Sequence, residues 1–74
     1  MKDLKKLSKK IYKDIIEYSN LNSIPLKKMA RNKGIPYTTF ITWVYKLKEG
    51  KIIPIKDIII IEEILGKDYI FLSN

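Results

Sequence analysis

Apolar residues recur every three or four positions along most of the chain, which is the spacing of amphipathic helices. In the N-terminal part they form one stripe, with lysines on the opposite side. The stripe consists of Leu4, Leu7, Ile11, Ile15 and Tyr18. We therefore predict a first helix that follows Asp3 as its N-cap and ends near residues 20–22.

Prolines and a glycine divide the next part of the chain into two helices. Pro25 opens a second helix and Pro36 a third, because the first turn of a helix tolerates a residue without an N–H. Gly34 closes the second helix, since glycine readily adopts the positive φ that a tight turn requires. At helical periodicity, residues 36–48 place one group of apolar side chains on a common face. These are Phe40, Trp43, Val44 and Leu47.

A fourth helix is predicted from residue 55 to residue 65, after a loop at 48–54, and Gly66 ends it. A strand is the competing interpretation, because isoleucine is β-branched and residues 52–61 are rich in it. The two glutamates and the glycine that follow favour a helix. We therefore prefer the helix.

The apolar arc of the fourth helix is wider than one core face needs, and a homodimer would bury the excess. Ile60 and Ile64 represent that expected dimer interface. Residues 68–72 form either a short last helix or an extended dimer arm. We expect a single domain over residues 1–74, with the C-terminal helix and tail, 55–74, available for pairing.

Composition excludes several kinds of chemistry. The chain has no Cys and no His, so it lacks thiolates and imidazoles for metal binding or catalysis. Glu62 and Glu63 point about 100° apart on a helix and do not form an acid and base pair. No apolar run approaches the ~20 residues of a membrane span, and no signal-peptide pattern precedes one. We expect a cytoplasmic protein that is not an enzyme, with no catalytic residues, no metal, no cofactor and no membrane contact.

Positive charge is concentrated in two parts of the chain. The formal net charge is +7, and most of the lysines lie in residues 1–13 and 26–51. Such an excess of positive charge favours a polyanionic partner. The abundance of Ile and Lys is also typical of an AT-rich genome, which explains part of the lysine excess without a function.

The stretch from Leu26 to Trp43 resembles the helix-turn-helix of the phage repressor and Cro-like (Xre-type) DNA-binding family. The matching residues are Met29, Ala30, Gly34, Ile35, Phe40 and Trp43, with Gly50, Pro54, Leu65 and Gly66 in the wider match. The resemblance implies an all-α, lambda-repressor-like domain of four to five helices, with its motif at about residues 25–47. The apolar members of the motif are best explained as core.

In this family the second motif helix enters the major groove, so the resemblance implies base-reading roles for its exposed positions. Those positions are Tyr37, Thr38, Ile41, Thr42 and Tyr45. Helical periodicity independently places the last four of them opposite the apolar face. The flanking cations that are candidates for phosphate contacts are Lys27, Lys28, Arg31 and Lys46. The expected function is a sequence-specific transcriptional regulator that binds double-stranded DNA at an AT-rich operator, as a phage-type or bacterial repressor.

The third helix lacks the side chains that discriminate bases most strongly. Residues 36–48 contain no Arg, Asn or Gln. Two explanations remain open: specificity comes from Thr, Tyr and DNA shape, or this face binds a protein. The alternative function is therefore a protein-binding module on the same fold, such as an antirepressor, an antitoxin or an anti-CRISPR-like protein.

Overall fold

The computed structural model describes the backbone of residues 2–70 and the side chains of residues 4–70, and this part of the chain is all helical. Its four helices are α1 (Lys2–Asn22), α2 (Leu26–Asn32), α3 (Tyr37–Lys48) and α4 (Ile55–Leu65). The expected all-α class is confirmed. None of these helices combines the length and the apolar character needed to cross a bilayer.

Three of the helices begin in the same way, with a proline at the N-cap. Pro25, Pro36 and Pro54 precede α2, α3 and α4, and none of them supplies a side-chain cap. The carbonyl of each accepts a hydrogen bond from the N–H four residues later, at 3.1 Å. Pro25 and Pro36 thus stand one position before the first turn in which we expected them, and Pro54 ends the expected loop as the N-cap of α4. Helix α1 already includes Asp3, which we expected to precede it as an N-cap.

Helix ends coincide with residues of positive φ. Gly34 follows α2 and Gly66 follows α4, both at φ +69°, as predicted. Ser23, after α1, adopts φ +54°, which the sequence did not indicate. Two hydrogen bonds fix that turn: the Ser19 hydroxyl donates to the Ile24 carbonyl at 2.6 Å, and the Ile24 N–H donates to the Ser19 carbonyl at 3.0 Å.

One hydrophobic core draws on all four helices. Helix α1 packs against α3 and α4, and α2 packs against α3. The buried apolar residues are Ile11, Ile15, Met29, Ala30, Phe40, Trp43, Val44, Leu47, Ile53, Ile58, Ile61, Leu65 and Tyr69. The apolar face predicted for α3 is therefore confirmed in full. In the α1 stripe, the middle of the helix is buried while Leu4 is exposed.

The segment that follows α4 turns back onto the core through a C-terminal clamp, formed by Asp14, Glu62 and Tyr69. Oε2 of Glu62 accepts the backbone N–H groups of Tyr69 and Ile70 at 2.6 and 2.9 Å. The Tyr69 hydroxyl donates to Oδ2 of Asp14 at 2.6 Å. Residues 67–70 are therefore neither a helix nor an extended arm, whereas residues 71–72 of the expected tail lie outside the described part.

Candidate functional site

The side of α3 that faces away from the core carries hydroxyl groups and aromatic rings. We define the α3 outer face by Tyr37, Thr38, Thr42 and Tyr45, all of which are exposed. Ile41 differs from the expectation, because it is half-buried and packs against the core. The core therefore covers a wider arc of α3 than the four residues predicted as its buried face. Four of the five expected base-reading side chains are therefore accessible.

The hydroxyl of Thr42 is already engaged within α3. Its Oγ1 donates to the carbonyl of Thr38 at 2.8 Å. A threonine in this arrangement has used its single proton but keeps lone pairs and a methyl group. Thr42 therefore presents an acceptor and an apolar contact rather than a donor.

A groove runs between α3 and the start of α4. The residues that line this α3–α4 groove are Thr38, Thr39, Thr42, Trp43, Lys46, Pro54 and Asp57. They include one lysine and one aspartate, so the groove has no formal net charge. Asp57 lies in the first turn of α4, where a carboxylate interacts favourably with the helix dipole. The sequence did not indicate a role for Asp57, because only the packing of α4 brings it close to α3.

A second groove lies at the turn between α2 and α3. The residues that line this α2–α3 groove are Lys27, Arg31, Gly34, Ile35, Pro36 and Tyr37. The fold thus brings two of the candidate phosphate contacts, Lys27 and Arg31, beside the start of α3. Lys46 belongs instead to the α3–α4 groove, and Lys28 is exposed on α2 outside both linings.

The third groove lies on α1, away from the expected motif. The residues that line this α1 groove are Lys6, Lys9, Lys10, Lys13, Asp14, Glu17 and Lys67. Five lysines against two acidic residues give a formal net charge of +3. Among the three grooves described, the most positive is therefore on α1, a helix that the resemblance places behind the motif.

Asp14 anchors one edge of the α1 groove. Its side chain is only 6% exposed and lies 3.6 Å from the ammonium groups of both Lys10 and Lys67. Burial on its own raises the pKa of Asp14, but the hydrogen bond from Tyr69 and the two lysine charges outweigh it and lower the pKa overall. Burial and the hydrogen bond to Asp14 raise the pKa of Tyr69. The pair is held as a carboxylate and a neutral phenol.

Helix α4 exposes different isoleucines from the expected ones. Ile60 and Ile64 are half-buried and pack against the core. Ile55 is 63% exposed and Ile59 is 40% exposed. The exposed apolar surface of α4 is therefore formed by Ile55 and Ile59, which lie one turn apart on another side of the helix. Ile60 and Ile64 have little free area to offer a second copy.

No family model, curated protein or solved structure matches the chain. Within the part that the structure describes, no three acidic, His or Cys side chains are grouped closely enough to hold a metal ion. The function is therefore inferred from the chemistry of the three grooves and the α3 outer face.

Proposed function

We propose that the chain is a small DNA-binding transcriptional regulator of the helix-turn-helix type. One observation carries this proposal: α2 and α3 are joined by a short turn with Gly34 at φ +69°, and α3 buries one face while presenting the other to solvent. A helix supported in this way from behind has the shape that fits the major groove. Repression by occupying an operator is suggested by the family resemblance alone.

The α3 outer face suits bases that offer amino and methyl groups. The hydroxyl oxygen of Thr42 accepts a hydrogen bond, and its methyl group contacts the thymine methyl. Tyr45 projects from the same side, with a hydroxyl that donates or accepts. Lys27 and Arg31, beside the start of α3, contact the adjacent phosphates. This chemistry favours an AT-rich site, which we expect the protein to select weakly.

The proposal is tested by selecting duplexes from a random pool and measuring affinity for the selected and the random sequences. A Thr42→Ala, Tyr45→Ala variant should bind random duplex as wild type does and lose about tenfold of its preference for the selected site. An Asn20→Ala, Leu21→Ala variant, altered at the exposed end of α1, is the matched control and should keep the preference. Equal loss in both variants, or no enrichment of any sequence by wild type, contradicts base reading by α3.

A protein-binding function is the second candidate, because the α3–α4 groove carries no net charge. The lack of Arg, Asn and Gln in residues 36–48 supports it as well. Titration of the protein against duplex DNA at different salt concentrations distinguishes the DNA-binding function from the protein-binding one. Binding to duplex that falls steeply between about 50 and 200 mM salt supports the DNA proposal. Absence of binding even at the lower salt concentration refutes it and favours a protein partner.

A further inference from the structure

The α1 groove is the most positive of the grooves described, and the proposed function does not use it. Its seven lining residues are all charged. The apolar stripe of α1 is turned inward, with Ile11 and Ile15 fully buried. An amphipathic helix that binds a bilayer inserts its apolar face, and here the core already occupies that face. The groove therefore suits a polyanion in water rather than a lipid surface or an apolar peptide.

Three of the five lysines are available to a ligand. Lys10 and Lys67 each lie 3.6 Å from Asp14 and offset its charge. Lys6, Lys9 and Lys13 make no ion pair with any acidic side chain of residues 4–70. Their positions, three and four residues apart, place them on one side of the helix. We define these three as the α1 lysine row.

The length and chemistry of the α1 lysine row fit a nucleic-acid backbone. From Lys6 to Lys13 the helix rises by roughly 10 Å, at 1.5 Å per residue. Each nucleotide of a strand carries one phosphate, so the three lysines on one side of the helix can contact about three phosphates in all. Lysine is a compact charge without the fork with which arginine recognises guanine. Such a row contributes affinity without reading sequence.

We propose that the α1 lysine row binds the phosphate backbone of a nucleic acid independently of α3. Helices α1 and α3 pack against each other through their buried faces, so the row and the α3 outer face lie on different sides of the molecule. One chain thus holds two stretches of backbone, from a bent duplex or from two duplexes. The inference shares with the proposed function only the class of partner, and it does not require base reading by α3.

The test compares the salt dependence of binding to a random-sequence duplex for wild type and a K6A, K9A, K13A variant. Each lost phosphate contact lowers the slope of log affinity against log salt by about 0.9, so the variant should lose about 2.7 from that slope. Equivalently, between about 50 and 200 mM salt the affinity of wild type should fall about 40-fold more than that of the variant. A K6R, K9R, K13R variant should restore the slope.

A K48A, K51A, K56A variant is the matched control. It removes the same charge from exposed lysines that line none of the three grooves described. A slope reduced equally in the control would mean that net charge alone matters, and it would overturn the inference. A wild-type slope in the K6A, K9A, K13A variant would also overturn the inference. This includes the case in which that variant loses binding to anionic vesicles while its duplex slope is unchanged.

The two proposals fail on different measurements. Loss of sequence preference in the Thr42→Ala, Tyr45→Ala variant, together with a reduced slope in the K6A, K9A, K13A variant, supports both proposals. A preference that depends on α3, together with a slope that does not depend on the α1 lysine row, overturns only the further inference. A slope that depends on the row, without any sequence preference in wild type, overturns only base reading.

Discussion

The outer faces of α1 and α3 are both exposed, but the first carries mainly charged groups and the second mainly hydroxyl and aromatic groups. The α1 groove is lined only by charged side chains and has a formal net charge of +3. The α3–α4 groove contains three threonines and a tryptophan, with one charge of each sign. Charge contacts supply affinity and salt dependence, whereas hydroxyl and methyl contacts supply discrimination. The two proposals therefore place selectivity on α3 and part of the affinity on α1.

The two faces also differ in how the fold supports them. Helix α3 is supported directly by buried residues behind its outer face, among them Phe40 and Leu47. The α1 groove depends in addition on the C-terminal clamp, because Lys67 reaches Asp14 from the segment that follows α4. Breaking the clamp should therefore weaken one face and spare the other.

The largest expected effect concerns Glu62. In a Glu62→Ala variant one buried and one partly buried backbone N–H group lose their carboxylate acceptor, and we expect the free energy of unfolding to fall by about 3 kcal/mol. Glu63→Ala is the control on the same helix, since that side chain is 58% exposed and pairs only with Lys33. An exposed pair contributes about 0–1 kcal/mol. Urea denaturation of both variants measures the difference.

The Glu62 variant also bears on the comparison of the two faces. While it remains folded, it should bind random duplex more weakly than wild type, because release of the segment takes Lys67 away from Asp14, whose negative charge then lies beside the α1 lysine row without that offset. Its preference between duplexes should be retained. Equal stability of the two glutamate variants would show that the clamp does not hold the segment.

A smaller effect is expected from pH. The pKa of Asp14 is lowered in the folded protein, so its carboxylate contributes stability above the unfolded value of about 3.9. That contribution is lost as pH falls through the lower folded value. Urea midpoints should therefore drop below about pH 4 in wild type and drop less in an Asp14→Asn variant.

Glu17→Gln is the control for the pH experiment, since it removes an exposed carboxylate from the same groove. Its acid profile should follow that of wild type. If Asp14→Asn retains the full acid dependence, other carboxylates cause it, and the anchor of the α1 groove is weaker than its geometry indicates.

The features that the sequence predicted depend on local contacts, whereas those that it missed depend on contacts between residues far apart in the chain. The buried face of α3 and the turn at Gly34 follow from local periodicity and backbone preference, and both are confirmed. The clamp joins Asp14 to Tyr69 across 55 residues, and no spacing rule indicates such a pair. Ile41 appeared exposed on a lone helix, but its neighbours in the fold half-bury it.

Asp57 belongs with these missed contacts, and it provides the smallest and most informative prediction. Its carboxylate lies in the α3–α4 groove with Thr42 and Lys46, where it would repel the phosphates of a bound duplex. Asp57→Asn should therefore raise affinity for random duplex by about threefold, roughly 0.6 kcal/mol, measured by titration at moderate salt.

Asp68→Asn is the control for Asp57, because it removes the same charge from an exposed position that lines none of the grooves described. Its affinity should rise less than that of Asp57→Asn. The opposite outcome at Asp57, weaker binding together with lost preference, would mean that the carboxylate accepts a hydrogen bond from a base amino group. A charged group would then read sequence beside α3, and the division of affinity and selectivity between the two helices would no longer hold.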